Sequence, residues 1–175
     1  GYVGTAFAYV VNRQTGEVHE WTKTLPLGVG LKIAPNSIDG LSEIRWRGWG
    51  AISFYNDSLS GERRIEIDLE AEGDKPALHV NFRIEDNAKE PQPVVVVQRL
   101  AEGRWLYTHK CYGLAAGGRV RCGELDSYSE MGQALAGVDW NRGYRLNETF
   151  WNWAAATGRS KDGRTVGFNL TAHDP

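Results

Sequence analysis

From residue 65 to residue 85 the chain changes character at every second position. Ile65, Ile67 and Leu69 alternate with Glu66, Asp68 and Glu70. Beyond the turn formers Gly73-Asp74-Lys75-Pro76 the pattern resumes, with Leu78, Val80, Phe82 and Ile84 set against His79, Asn81, Arg83 and Glu85. A period of two sends successive side chains to opposite sides of a strand, so both arms carry one dry and one wet face. The acids then belong to a solvated face and not to a paired-carboxylate catalyst. No long, capped stretch in the chain has apolar residues at helical spacing; short β-branched and aromatic runs alternate with Gly, Asn, Asp and Pro clusters. The expected fold is all-β, with large antiparallel sheets forming a barrel or sandwich and little helix.

Val3 to Val11 and Val18 to Leu25 flank Asn12-Arg13-Gln14-Thr15-Gly16 and read as a first hairpin. Leu27 to Leu41, with three glycines and Pro35, reads mostly as loop before strands at Glu43 to Trp46 and Ala51 to Tyr55. Val94-Val95-Val96-Val97 has no polar interruption and is expected to be buried on both faces. Arg104 to Cys111 follows as a further strand. A turn within Leu114 to Gly118 is expected to place Cys111 and Cys122 on the two arms of a hairpin. Centred on Ala116-Gly117 it would oppose the cysteines and permit a disulfide; centred on Gly117-Gly118, the stronger turn signal, it leaves two free thiols in a reducing, cytoplasmic setting. In the closing hairpin, Thr149 to Ala156 and Arg164 to Ala172, pairing centred between Ser160 and Lys161 sets Trp153 against Phe168, Trp151 against Leu170 and Asn152 against Asn169.

The densest chemistry lies between Asp139 and Trp153: three tryptophans, two arginines, two acids and three asparagines. Asp139 ends the apolar strand Ala134 to Val138 and opens a turn running to Tyr144. Its carboxyl can act as a general acid if burial raises its pKa, or it can cap that turn or pair with Arg142 or Lys110. Lys110 shares a strand face with Leu106 and Thr108; it is either a buried cation partnered by Asp139 or a side chain that snorkels to solvent. The expected site is Asp139 and Lys110 as catalytic candidates, with Trp140, Arg142, Tyr144, Asn152 and Asn169 as ligand contacts. The amide pair Asn152 and Asn169 fits either a ligand contact or an internal amide ladder.

Several function classes are excluded on chemistry. Twenty Lys and Arg against 22 Asp and Glu leave a formal charge of −2, with no basic footprint for nucleic acid or membrane surfaces. No apolar run approaches the roughly 20 residues of a spanning helix. His19, His79, His109 and His173 lack metal-ligand spacing, two cysteines are too few for a four-ligand zinc site, and neither a nucleophile elbow nor a phosphate-binding loop is present. No metal or cofactor is expected.

Thr108-His109-Lys110, Val138-Asp139-Trp140-Asn141-Arg142-Gly143-Tyr144, Thr149-Phe150-Trp151-Asn152-Trp153-Ala154-Ala155 and Asp162-Gly163-Arg164-Thr165-Val166-Gly167-Phe168-Asn169-Leu170 come in an order and spacing that together resemble the family DUF2804. The resemblance implies a large antiparallel β fold related to lipocalin-like and carotenoid-hydratase-like proteins, with no established activity. It also implies longer relatives, so that these 175 residues form one β domain from the C-terminal portion of a chain whose N-terminal part packs against it. Three functions compete: binding of an apolar or amphipathic small molecule, a hydratase or isomerase using Asp139, and a carbohydrate-binding sandwich with exposed aromatic rings.

Overall fold

The computed structural model describes residues 3–36, 38–86, 91–146 and 151–173, the side chains of Trp151 and His173 excepted. Among these residues every regular element is a strand. The chain is all-β. Strands β1 (Val3–Val11) and β2 (Val18–Pro26) form the first hairpin, in the expected place. The turn before β2 uses Gly16 at φ 77°, a conformation that costs glycine nothing.

The main sheet has eight strands: β3 (Leu31–Lys32), β4 (Gly40–Trp46), β5 (Gly50–Asp57), β6 (Glu62–Leu69), β7 (Leu78–Glu85), β8 (Val94–Ala101), β9 (Arg104–Cys122) and β10 (Leu125–Tyr144). Its order is β10-β9-β7-β6-β5-β4-β3, with β8 beside the first half of β9. The sheet is open and does not close into a barrel. A separate hairpin, β11 (Trp151–Arg159) and β12 (Thr165–His173), completes the fold.

The alternation on β6 and β7 sets the layers. Ile67, Leu69, Leu78 and Val80 face the β1–β2 hairpin, where Ala8, Trp21 and Leu25 meet Ile44, Trp49 and Leu69 in the larger core cluster. Trp21 is fully buried, and its indole N–H donates to the Pro76 carbonyl at 3.3 Å. Burying side chains of this size contributes roughly 1.5–3 kcal/mol each. On the wet face Asp68 sits opposite His79, with His79 Nδ1 2.7 Å from the carboxylate.

Four expectations are corrected. There is no hairpin within residues 114–118: β9 runs unbroken for 19 residues and turns at Gly123-Glu124. Gly117 and Gly118 serve close approach instead of turning, because a Cβ on Gly118 would collide with the Asn81 carbonyl and one on Gly117 would lie 2.6 Å from the Met131 nitrogen. Cys111 and Cys122, on one extended strand, are roughly 35 Å apart at about 3.3 Å per residue and stay free and buried. Second, Val94–Val97 is not a core strand. Among the described residues β8 pairs only with β9, and all four valines are exposed, Val97 at 70%. An uninterrupted apolar run states that a strand is apolar, not that neighbours cover it.

Third, the closing hairpin pairs three residues out of the expected register. Gly163, at φ 82°, donates to the Ser160 carbonyl and Ser160 to the Arg164 carbonyl, so the turn centres on Asp162. Asn152 therefore faces Ala172, Asn169 faces Ala155, Trp153 faces Thr171, and Phe168 faces Ala156. The two asparagines fall on opposite sides of the hairpin; Phe150, expected beside them, lies outside the described residues. Finally, Asp139 to Tyr144 is not a turn but the continuation of β10, paired along β9.

Candidate functional site

The site begins with a bulge. Tyr112 pairs with Gly137 and Leu114 with Ala136, leaving Gly113 extra on β9 at φ 88°. The added residue reverses which face the later side chains take. Cys111, Leu114 and Ala116 thereby share the buried side, while Lys110 and Tyr112 point to the other, where the β11–β12 hairpin docks. Two further glycine contacts bring that hairpin close. A Cβ on Gly167 would lie 2.5 Å from Tyr112 Cβ, and one on Gly113 would lie 2.7 Å from Thr165 Cγ2.

Beneath the docked hairpin five side chains form a polar network. Lys110 Nζ lies 3.0 Å from Asp139 Oδ2 and also donates to Asn169 Oδ1 at 3.0 Å. Asn169 Nδ2 donates to the Tyr112 hydroxyl at 2.8 Å, and Asn141 Nδ2 reaches Asp139 Oδ1 at 2.6 Å. Lys110 and Asp139 are opposite neighbours on β9 and β10 and largely shielded, with side chains 16% and 23% exposed. Burial pushes the Tyr112 phenol above its ordinary value, with the Asn169 bond opposing and the Asp139 charge adding to it. Tyr112 is thus a neutral donor at physiological pH. Of the two states of Lys110 weighed from sequence, the paired cation is the one observed. For Asp139 the observed partner is Lys110; Arg142 instead donates to the Pro35 carbonyl at 2.7 Å.

The expected site residues divide between the two faces of the sheet. Asp139, Lys110 and Asn169 come together. Trp140, Arg142 and Tyr144 lie on the opposite face, Trp140 edge-on to Tyr107 at 5.6 Å and Tyr144 edge-on to Trp105 at 5.9 Å between ring centres. Asn152 is exposed on the outer side of the closing hairpin. Tyr112 is not among the residues expected from sequence. Gly113 beside it and Gly167 on the facing hairpin are the available signals, since each lets another backbone approach.

Two large clefts flank the sheet. The first, about 850 Å³, lies between the β1–β2 hairpin and the inner sheet face and is walled by side chains such as Ala6, Ile44, Ile67, Val80, Phe82 and Val120. The second, about 990 Å³, lies between β9 and the closing hairpin and includes Lys110, Tyr112 and Asn169. Among the described residues no group of three or more His, Cys, Asp or Glu side chains is placed to hold a metal ion.

The sequence profile described as "Domain of unknown function (DUF2804)" matches residues 1–173. The chain belongs to this family. For DUF2804 the structure therefore shows an all-β arrangement of antiparallel sheets, and the blocks that carry the resemblance acquire structural roles. In the last of them Thr165, Gly167 and Asn169 are the inward residues of β12 that meet β9. Neither a curated protein nor a solved structure gives a match to this DUF2804 chain. Among its described residues no helix is long and apolar enough to cross a membrane.

Proposed function

We propose that the chain binds an apolar or amphipathic small molecule in the cleft beneath the β1–β2 hairpin. One observation carries this reading. The inner sheet face presents Ile65, Ile67, Val80, Phe82 and Val120 only partly buried, because a two-stranded hairpin covers a sheet much wider than itself. The space left is about 850 Å³, within the range of roughly 300–1,000 Å³ usual for ligand pockets, and its walls are almost wholly aliphatic and aromatic. Aliphatic walls suit a hydrocarbon body better than a sugar, which needs exposed rings and paired polar groups. Asp139 lies on the other face, ion-paired with Lys110 and away from this cleft.

Titration calorimetry with dodecan-1-ol tests the reading. Val80→Phe and Ala6→Phe, which fill the cleft from its two walls, are expected to weaken binding at least tenfold. Unchanged affinity in both variants, or no binding by the unaltered protein, refutes it.

We also propose that another part of the same polypeptide packs over the apolar outer surfaces, supported by exposed Phe7 and Tyr9 on β1 and by Phe168 and Leu170 on β12. Slower deuterium uptake at β1 and β12 in a longer polypeptide than in residues 1–175 is the expected outcome; equal uptake refutes it.

A further inference from the structure

The second cleft has a different chemistry from the first. Its walls bring together three cationic side chains, Lys110, Arg159 and Arg164, and among the described residues contain no Asp or Glu. Two of them have acidic partners: Asp139 on Lys110 and Asp162 on Arg164, the latter at 2.7 Å. Arg159 donates to the Gly132 carbonyl at 2.6 Å and to Thr165 Oγ1 at 3.5 Å, so its contacts are to neutral oxygens. A guanidinium has five N–H donors in a planar fork, so these two bonds leave an edge available for a carboxylate. The rest of the wall is mixed: Gln92, Tyr112, Thr165 and Asn169 are polar, and Val94, Ala115 and Leu135 supply its apolar part. Next to the cleft floor at Gly113, the hydroxyl of Thr157 is buried without a hydrogen-bond partner.

We propose that this cleft is a second, independent binding site, which takes a small organic carboxylate with an apolar body. The carboxylate sits against Arg159 and Arg164, and the hydrocarbon lies along Val94 and Leu135. Lys110 contributes positive potential to the wall but is held by Asp139 and Asn169, so it is a poor primary contact. The site lies on the opposite sheet face from the proposed apolar cleft and discriminates by charge, which the apolar cleft cannot do.

Octanoate is the probe, with octan-1-ol and inorganic phosphate as controls, each titrated by calorimetry or by ligand-observed NMR. Octanoate is expected to bind at least tenfold more tightly than octan-1-ol. Its binding should weaken as salt rises, because an exposed ionic contact is screened within roughly 10 Å at 0.1 M. Arg159→Gln combined with Arg164→Gln should abolish the preference for octanoate. Val80→Phe, in the other cleft, should leave octanoate binding unchanged while it weakens dodecan-1-ol. Equal affinities for octanoate and octan-1-ol, no octanoate binding, phosphate binding as tight as octanoate, or indifference to the arginine substitutions overturns the proposal. Loss of octanoate binding in Val80→Phe alone would place the carboxylate in the apolar cleft and overturn it as well. Loss of dodecan-1-ol binding with octanoate binding intact would refute only the apolar-cleft reading.

Discussion

Among the contacts that dock the closing hairpin are the close approach at Gly167 and two bonds of Asn169, and these can be separated by substitution. Gly167 has no positive φ, so Gly167→Ala strains no backbone and perturbs only the contact with Tyr112. The added Cβ would stand 2.5 Å from Tyr112 Cβ, whereas carbon atoms pack at roughly 3.5–4 Å, so the hairpin must retreat by about 1 Å. Overpacking of this kind costs about 1–3 kcal/mol. Asn169→Ala removes the bond received from the Lys110 ammonium, worth about 1.5–3 kcal/mol, and the bond given to Tyr112, worth about 1 kcal/mol. If the two acted independently, the double variant would lose roughly 3.5–7 kcal/mol. They act on one interface, however, and a hairpin already displaced by the added methyl group no longer makes the Asn169 bonds at full strength. Urea unfolding followed by circular dichroism should therefore show a double loss at least about 1 kcal/mol smaller than the sum of the singles. Additivity within about 0.5 kcal/mol, or a Gly167→Ala cost below about 0.5 kcal/mol, would refute the account of Gly167 as the docking contact.

Three further outcomes follow from the same geometry. Burial lowers the pKa of His109, with Arg63 adding to that and Asp86 opposing it, so the folded state holds the imidazole neutral more firmly than the unfolded chain does. Its contribution to stability is present above the unfolded value of about 6.5 and is lost as pH falls through the lower folded value; unfolding at a series of pH values should show this slope, and His109→Gln should flatten it. Asp139→Asn leaves the Lys110 ammonium without its charge partner; fully buried pairs lose about 3–5 kcal/mol on such a change, and partial exposure here brings the expectation to about 2 kcal/mol, read by urea unfolding. Cys111 and Cys122 are buried and their thiols are pushed up by that burial, so iodoacetamide followed by mass spectrometry should label neither in the native protein and both after denaturation.

Much of the fold is legible in the residues because period-two alternation is a local property. β6, β7 and the first hairpin need only their own side chains and turns to be located. What is misplaced from sequence depends on neighbours. Gly117-Gly118 carries the same signal whether glycine is needed to reverse the chain or to admit the Asn81 carbonyl, and only the paired strand distinguishes the two. The closing hairpin offers two turn centres, and cross-strand apolar matching favours the one that hides Phe168. The structure leaves Phe168 and Leu170 facing outward and spends the inner face on Thr165, Gly167 and Asn169. The Lys110 and Asp139 pair is legible because strand alternation puts Lys110 on the face of Leu106 and Thr108, where a cation calls for a partner. Tyr112 is not, since its alliance with Asn169 depends on a three-residue shift in register.

The exposed valines of β8 belong to a strand bonded, among the described residues, on one side only. In an antiparallel pair the backbone groups of alternate residues point toward the partner and those of the rest point away. Along Val94 to Ala101 the amide protons should therefore exchange with solvent in a comb, slow and fast by turns, although every side chain in the tetravaline run is equally apolar. The boundary of the sheet is written there in hydrogen bonds and not in hydrophobicity. An incoming strand would find its register set in advance by the spacing of the unoccupied amides.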